Sequence, residues 1–260
     1  MKNKENLGTP EFIKFIPTTS FGVADVNSDA QLFYSFIKES RGERWAHVFK
    51  RSFPELIQEL KGVKEKEEAM KICEKFSKDF HDKNRNEILI KKVELQTEWQ
   101  KISEEFLGTL ADHFETTWPE EKQEIIGNIT VLPIFPRYLD KYSFCVGYQD
   151  IQRMIETSAH EIVHFLWFKK WKEVFPESKR RDYESPHLAW RLSEIIDPII
   201  LHCQPKINSL IKPKGWGYSS FETIKIGDIS MTEHFKKVYT DSVSTGNDFA
   251  TTMKLLWLEA

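Results

Sequence analysis

Cysteine is scarce in this chain, and long apolar runs are missing. The three cysteines, Cys73, Cys145 and Cys203, are odd in number and far apart, and none has metal-site spacing. They read as reduced, mostly buried thiols, which points to a cytoplasmic protein. No stretch approaches the roughly 20 apolar residues that span a bilayer, so no membrane partner is expected. The amino terminus, Met1-Lys2-Asn3-Lys4-Glu5-Asn6, is polar and leads into no apolar run, so no signal peptide is expected. Basic charge is not in surplus either: 37 Lys and Arg stand against 40 Asp and Glu, a net charge of −3. The two signs are interspersed, which leaves no electrostatic footprint for nucleic acid. Internal repeats and low-complexity tracts are absent.

What is present suits a soluble globular protein with a real core: 40% of the 260 residues are hydrophobic and 30% are charged. The length fits one large domain or two modest ones. Residues 8–26 place Pro10, Pro17 and Gly22 around Glu11–Ile16, whose imperfect alternation predicts a short strand or an extended arm. From Ser28 the spacing is helical, with Leu32, Phe33, Phe36 and Ile37, then Trp45, Val48 and Phe49, then Leu56, Ile57 and Leu60 up to Gly62. Residues 63–116 predict long charged helices. One stripe is Met70, Ile72, Cys73, Phe76 and Phe80; the other is Ile88, Val93, Leu95, Trp99, Ile102, Phe106, Leu107 and Leu110.

Thr117-Trp118-Pro119-Glu120 reads as a capping box opening a short helix that Gly127-Asn128 ends. Ile129–Leu132 and Tyr142–Tyr148 predict strands. The second is either an ordinary sheet strand or an edge that could hold an extended peptide. Beyond Lys172, a charged loop spans Pro176–Pro186 and a helix spans His187–Leu201, which Pro198 should kink. A long loop is marked by Pro205, Pro213, Gly215 and Gly217. Helices follow over Ser230–Asp241 and Asp248–Leu258. The organisation is a helical region over 1–116 with a leading strand or arm, then a second region over 117–260. The two also fit one continuous compact unit.

The most informative stretch is Thr157–Phe165, which contains His160-Glu161-Ile162-Val163-His164. On a helix, residues four apart lie about 40° from each other, so His160 and His164 point the same way, one turn apart. Two imidazoles so placed can share one metal ion. Glu161 lies about 100° round from His160, near enough to reach a water on the metal while turned from the metal itself. That is the place for a general base. Ile155, Ile162 and Leu166 gather on the opposite side, with Ala159 and Val163 beside them, and no Gly or Pro interrupts Ile151–Lys172. This predicts a helix with separate metal and packing faces.

A catalytic zinc keeps three protein ligands and one open position. Glu194 is the best third candidate. It lies opposite the Leu192/Ile196 side of an apolar helix, where a carboxylate needs a partner. Asp197, about 60° round, could accept the N–H of a ligating histidine. Asp182, Glu184, His187 and Asp197 are the other candidate ligands.

With these residues the chain resembles the gluzincin metallopeptidases, the thermolysin-like clan, over residues 129–200. Two features depart from that group: a longer interval from His164 to Glu194, and Asp197 three rather than four residues after Glu194. Metzincins are disfavoured, since Trp167 and Lys170 stand where that group needs Gly and a third His. The resemblance implies an α+β, mostly helical fold, with a zincin-like catalytic region of small sheet and motif helix preceded by the helical region. It also implies a zinc-dependent peptidase acting on a peptide or protein substrate, with His160, His164 and Glu194 as ligands and Glu161 as base. Tyr183, His187, Tyr218 and His234 are candidates for a further oxyanion donor. Two other readings stand beside it: a metal-free helical interaction protein, and a zinc hydrolase dedicated to one regulatory target.

Overall fold

The motif helix is reached through a small sheet, and the order of its strands decides which residues meet that helix. The computed structural model describes residues 14–39 and 42–260. In chain order the elements are β1 (Thr18–Val23), α1 (Val26–Lys38), α2 (Gly42–Ser52), α3 (Pro54–Glu59), α4 (Lys66–Gln100) and α5 (Ser103–His113). Then come β2 (Glu124–Thr130), β3 (Arg137–Tyr138), β4 (Ser143–Gly147), α6 (Ile151–Val174), α7 (Leu188–Cys203) and α8 (Pro205–Ile211). The chain closes with α9 (Ser219–Thr223), β5 (Lys225–Ile226), β6 (Ile229–Ser230), α10 (Met231–Ser244) and α11 (Phe249–Leu258). The protein is mostly helical with a small mixed sheet, the α+β composition that the residue patterns predict. No described helix is long and apolar enough to cross a membrane.

The main sheet has the order β1-β2-β4-β3, with β1, β2 and β4 parallel and β3 antiparallel to β4. Tyr142–Tyr148 therefore supplies an interior strand, and the edge next to it is β3. At the other edge, the Gln96 side chain of α4 accepts from the Phe21 N–H at 2.9 Å and donates to the Thr19 carbonyl at 3.2 Å. This satisfies backbone groups that an open edge would leave to another chain. One hydrophobic core runs from Phe21 and Phe33 through Trp99 and Ile162 to Met253. Residues on both sides of position 116 thus share a sheet and a core.

A second tie crosses the same boundary. The Asp29 carboxylate, fully buried on α1, accepts from Thr130 Oγ1 at 2.6 Å and lies 2.8 Å from His81 Nε2 of α4. The Val131 N–H reaches it at 3.4 Å.

Several local expectations are overturned. Of Glu11–Ile16, residues 11–13 lie outside the described residues, and Lys14–Ile16 form no strand; β1 begins after Pro17. Thr117–Lys122 makes a turn closed by Lys122 N–H to the Pro119 carbonyl at 2.9 Å, not a capped helix. Gly127 ends no helix; it sits in mid-strand on β2, in register with Phe21 and Phe144. A Cβ there would come within 2.6 Å of the Phe21 ring and 2.9 Å of Phe144, so the two rings require glycine between them. Pro205 opens helix α8 rather than a loop, with Gln204 accepting from the Ile207 N–H at 2.6 Å. Proline in a first turn loses no helical hydrogen bond, so it marks a helix start as readily as a break. Val93, assigned above to a packing stripe, is 65% exposed beside Leu89 and Ile90.

The largest correction concerns α6. Asp150 caps it, accepting from the Arg153 N–H at 3.1 Å. From Ser158 to Phe168 every residue is buried except His160, which is partly exposed. The metal face is covered as well as the packing face. This is a central helix enclosed on nearly all sides, not a one-sided amphipathic one.

Candidate metal centre

Three elements place side chains at one point beneath the sheet's β3 edge. Helix α6 brings His160 and His164 in from one side, because positions four apart share a face. Helix α7 brings Glu194 and Asp197, one turn apart, from another. Strand β3 brings Arg137, held by its pairing with Phe144 of β4 and by Cys145 N–H donating to the Pro136 carbonyl at 2.9 Å.

The Nε2 atoms of His160 and His164 lie 3.2 Å apart. The Glu194 carboxylate lies 3.3 Å from His160 Nε2 through Oε2 and 3.6 Å from His164 Nε2 through Oε1. Ligands about 2.0–2.1 Å from a tetrahedral zinc stand about 3.3 Å from one another. The two Nε2 atoms, and His160 Nε2 with Glu194 Oε2, are spaced that way, while His164 Nε2 meets the other Glu194 oxygen at 3.6 Å.

Asp197 also lies close: one ligand atom from each of His160, His164 and Asp197 falls within 4.8 Å of the others. Two carboxylates thus compete for the third position, and the rings decide between them. Asp197 Oδ2 is 2.7 Å from His164 Nδ1, on the side of the ring away from His160. A ring nitrogen pointing at Asp197 cannot share a metal with His160 while the other nitrogen does so. The Glu194 carboxylate thus faces the two Nε2 atoms, and Asp197 stands behind the His164 ring.

Charge and hydrogen bonding test the same fit. Glu161, Glu194 and Asp197 are buried, and the cation facing them is Arg137, whose Nη1 is 2.9 Å from Glu194 Oε1 and 3.6 Å from Glu161 Oε2. Three carboxylates face one guanidinium, and the His160 ring, held at about 9, adds a second positive charge. Glu161 Oε2, His164 Nδ1 and both Asp197 oxygens have no hydrogen-bond partner among the described residues. The 2.7 Å contact between His164 and Asp197 is an ion-pair distance out of line for a hydrogen bond. Buried charges left this way are costly without a compensating ion or proton.

The titration behaviour follows from that imbalance. Burial alone would lower His160, but the Glu194 hydrogen bond and the charges of Glu161, Glu194 and Asp197 outweigh it and hold the ring at about 9. Burial pushes Glu161 up to about 7, against the pull of His160 and Arg137. Burial also drives Asp197 well above the usual carboxylate range, and His164 well below the usual imidazole range, with Arg137 and His160 adding to the latter. Glu194 stays below its ordinary value despite burial, because Arg137 and His160 stabilise the anion.

The other sequence candidates lie elsewhere. Asp182 accepts from the Lys179 N–H at 2.8 Å, and Glu184 pairs with Arg180 at 3.1 Å. His187 is exposed at the start of α7. His234 pairs with Glu259 at 3.1 Å. Tyr183 stacks on Phe168 at 4.6 Å, and Phe168 stacks on His164 at 5.9 Å, so one ring separates Tyr183 from the cluster. Tyr218 belongs to an aromatic group with Trp45 and Trp190, at 6.3 and 6.5 Å. Its loop follows the α6 and α7 faces that carry His160 and Glu194. Lys214 N–H donates to Glu156, one turn before His160, and Gly217 closes on Pro198 and the Glu194 carbonyl.

Arg137 is the residue that sequence reasoning missed. It follows Pro136 in a two-residue strand, and no periodicity or spacing ties it to residues in α6 and α7. No family model, curated protein or solved structure matches the chain.

Proposed function

We propose that His160, His164 and Glu194 hold a zinc ion and that the protein is a metallopeptidase with Glu161 as its proton-transfer group. The observation that carries this reading is the meeting of two Nε2 atoms 3.2 Å apart with the Glu194 carboxylate, which lies 3.3 Å from His160 through Oε2 and 3.6 Å from His164 through Oε1. The orphaned polar atoms around it support the same reading.

Zinc, when bound, would supply Lewis acidity, lowering the pKa of a water toward about 7 and polarising a substrate carbonyl. The chain's own groups supply the rest. Glu161, set up to about 7 in the metal-free protein, is matched to taking a proton near neutral pH. Its carboxylate accepts one proton from the attacking water and returns it to the departing amine nitrogen, so the C–N bond breaks with no net change at Glu161. Asp197 Oδ2 stands 2.7 Å from His164 Nδ1, where its charge would favour a proton on Nδ1 and leave Nε2 free. His160, with 20% of its side chain exposed, lies on the side from which a substrate reaches the cluster.

Purified full-length protein should carry close to one zinc per chain, lose it to a chelator, and cut a random peptide library only with zinc restored. Metal well below stoichiometry and unchanged by His160→Ala would sink the proposal and favour a metal-free helical interaction protein. A zinc-loaded chain that leaves the library intact would limit the activity to one dedicated target.

A further inference from the structure

We propose that Arg137 is a positioning residue for both glutamates of the centre: it leaves Glu194 a single oxygen for the metal and keeps Glu161 off the metal altogether. The inference rests on the metal reading above and goes beyond it, because it assigns what keeps a coordination position open.

The geometry is specific. Nη1 lies 2.9 Å from Glu194 Oε1, a charge-assisted hydrogen bond, so that oxygen is engaged. The other oxygen, Oε2, is the one 3.3 Å from His160 Nε2. The same Nη1 lies 3.6 Å from Glu161 Oε2 and draws that carboxylate toward β3. One nitrogen thus hydrogen-bonds one carboxylate and stands at ion-pair distance from a second that arrives on a different helix. Its own place is tightly determined. The guanidinium lies over the Phe168 ring at 5.6 Å, the side chain is 11% exposed, and the backbone is paired to β4. Arginine suits this role because its delocalised charge survives burial and its planar group can serve two acceptors at once.

The consequence concerns coordination number. Two imidazoles and three carboxylates crowd this point, more donors than a four-coordinate ion needs. Unrestrained carboxylates would close round the ion, as in structural sites, whereas a catalytic site keeps one position open. Arg137 withdraws one oxygen of Glu194 and one of Glu161 from that competition.

The test is to load wild type, Arg137→Gln and Arg137→Lys with cobalt(II), whose visible bands report coordination number, and to measure zinc affinity by chelator competition. Removing the cation while freeing two carboxylates should tighten zinc binding by about tenfold or more. It should also weaken the cobalt bands, as further oxygens join, and abolish peptide cleavage. A merely structural arginine would give weaker or unchanged zinc binding with unaltered bands, and that result overturns the inference. If Arg137→Gln does not fold, Arg137→Lys, which keeps the charge but cannot serve both carboxylates, is judged on the cobalt bands alone. Altered bands support the inference and unaltered ones overturn it. Wild-type protein that takes up no cobalt or zinc overturns the metal reading itself, and this inference with it.

Discussion

Two buried groups of ionisable side chains join helices to the main sheet, one from α1 and α4 to β2 and one from α6 and α7 to β3, and they differ in how completely they are satisfied. At Asp29, one oxygen accepts from Thr130 and the other faces His81 at 2.8 Å, with the Val131 N–H near by. Neither oxygen lacks a partner. At the α6–α7 cluster, Asp197 has two orphaned oxygens, and Glu161 Oε2 and His164 Nδ1 are orphaned too. Both groups set an imidazole against a buried carboxylate, so residue type alone does not distinguish them. The first is a closed network that ties α1, α4 and β2 together, and nothing is left for a ligand. The second leaves four polar atoms without a hydrogen-bond partner among the described residues. A buried polar group left unsatisfied is costly, and such groups persist where function needs them.

This contrast can be broken by experiment, and the largest effect is expected at Glu161. Glu161→Gln should lower peptide hydrolysis by about 100- to 10,000-fold while zinc content stays at wild-type level. Loss of zinc together with activity would make Glu161 a ligand and erase its separate role. At the other group, His81→Ala should lower unfolding free energy by about 3 kcal/mol, read from denaturant midpoints, because a buried carboxylate loses its principal partner. Zinc affinity should be unchanged in that variant. A zinc affinity that moves with His81 would mean the two groups are one coupled system.

Smaller effects sharpen the comparison. Asp197→Asn should weaken zinc binding by about 10- to 100-fold, measured by chelator competition, since the amide no longer holds the His164 ring. An unchanged affinity would return Asp197 to a purely structural role. The smallest effect is in pH. His160 in the metal-free protein is raised to about 9, so below that pH a proton must leave before the ring can bind a metal. Apparent zinc affinity should rise about tenfold per pH unit up to about 9 and flatten above it. A plateau already reached near 6.5 would show that the acidic neighbours do not hold that proton.

Legibility from sequence divides along the same line. The cluster on α6 is visible because a four-residue interval is a local property of a helix, and His160 and His164 do face one point. Glu194 follows from an apolar helix that carries a carboxylate, and it does lie against both rings. The Asp29 group left no such trace, since its members come from α1, α4 and β2 and have no common spacing. Nor does Gly127 disclose its strand: a glycine between polar residues looks like a helix end until two phenylalanines from neighbouring strands are seen to pack across it. The one-sided reading of α6 failed for a related reason. Periodicity shows which face of a helix is apolar, but it does not show that the polar face is also covered.

The sequence by itself determined the helix that aligns two imidazoles, the carboxylate beside them and the mostly helical character of the chain. These depend on bonding and spacing within a few residues. Only the tertiary structure decided that Glu194 rather than Asp197 meets the Nε2 atoms and that Arg137 stands against both glutamates. Only it could show that one buried carboxylate is fully partnered while another is not. Those outcomes turn on how separate elements cross and which ring nitrogen faces which neighbour, and distances of a few ångströms between segments far apart in the chain are set by packing of the whole core.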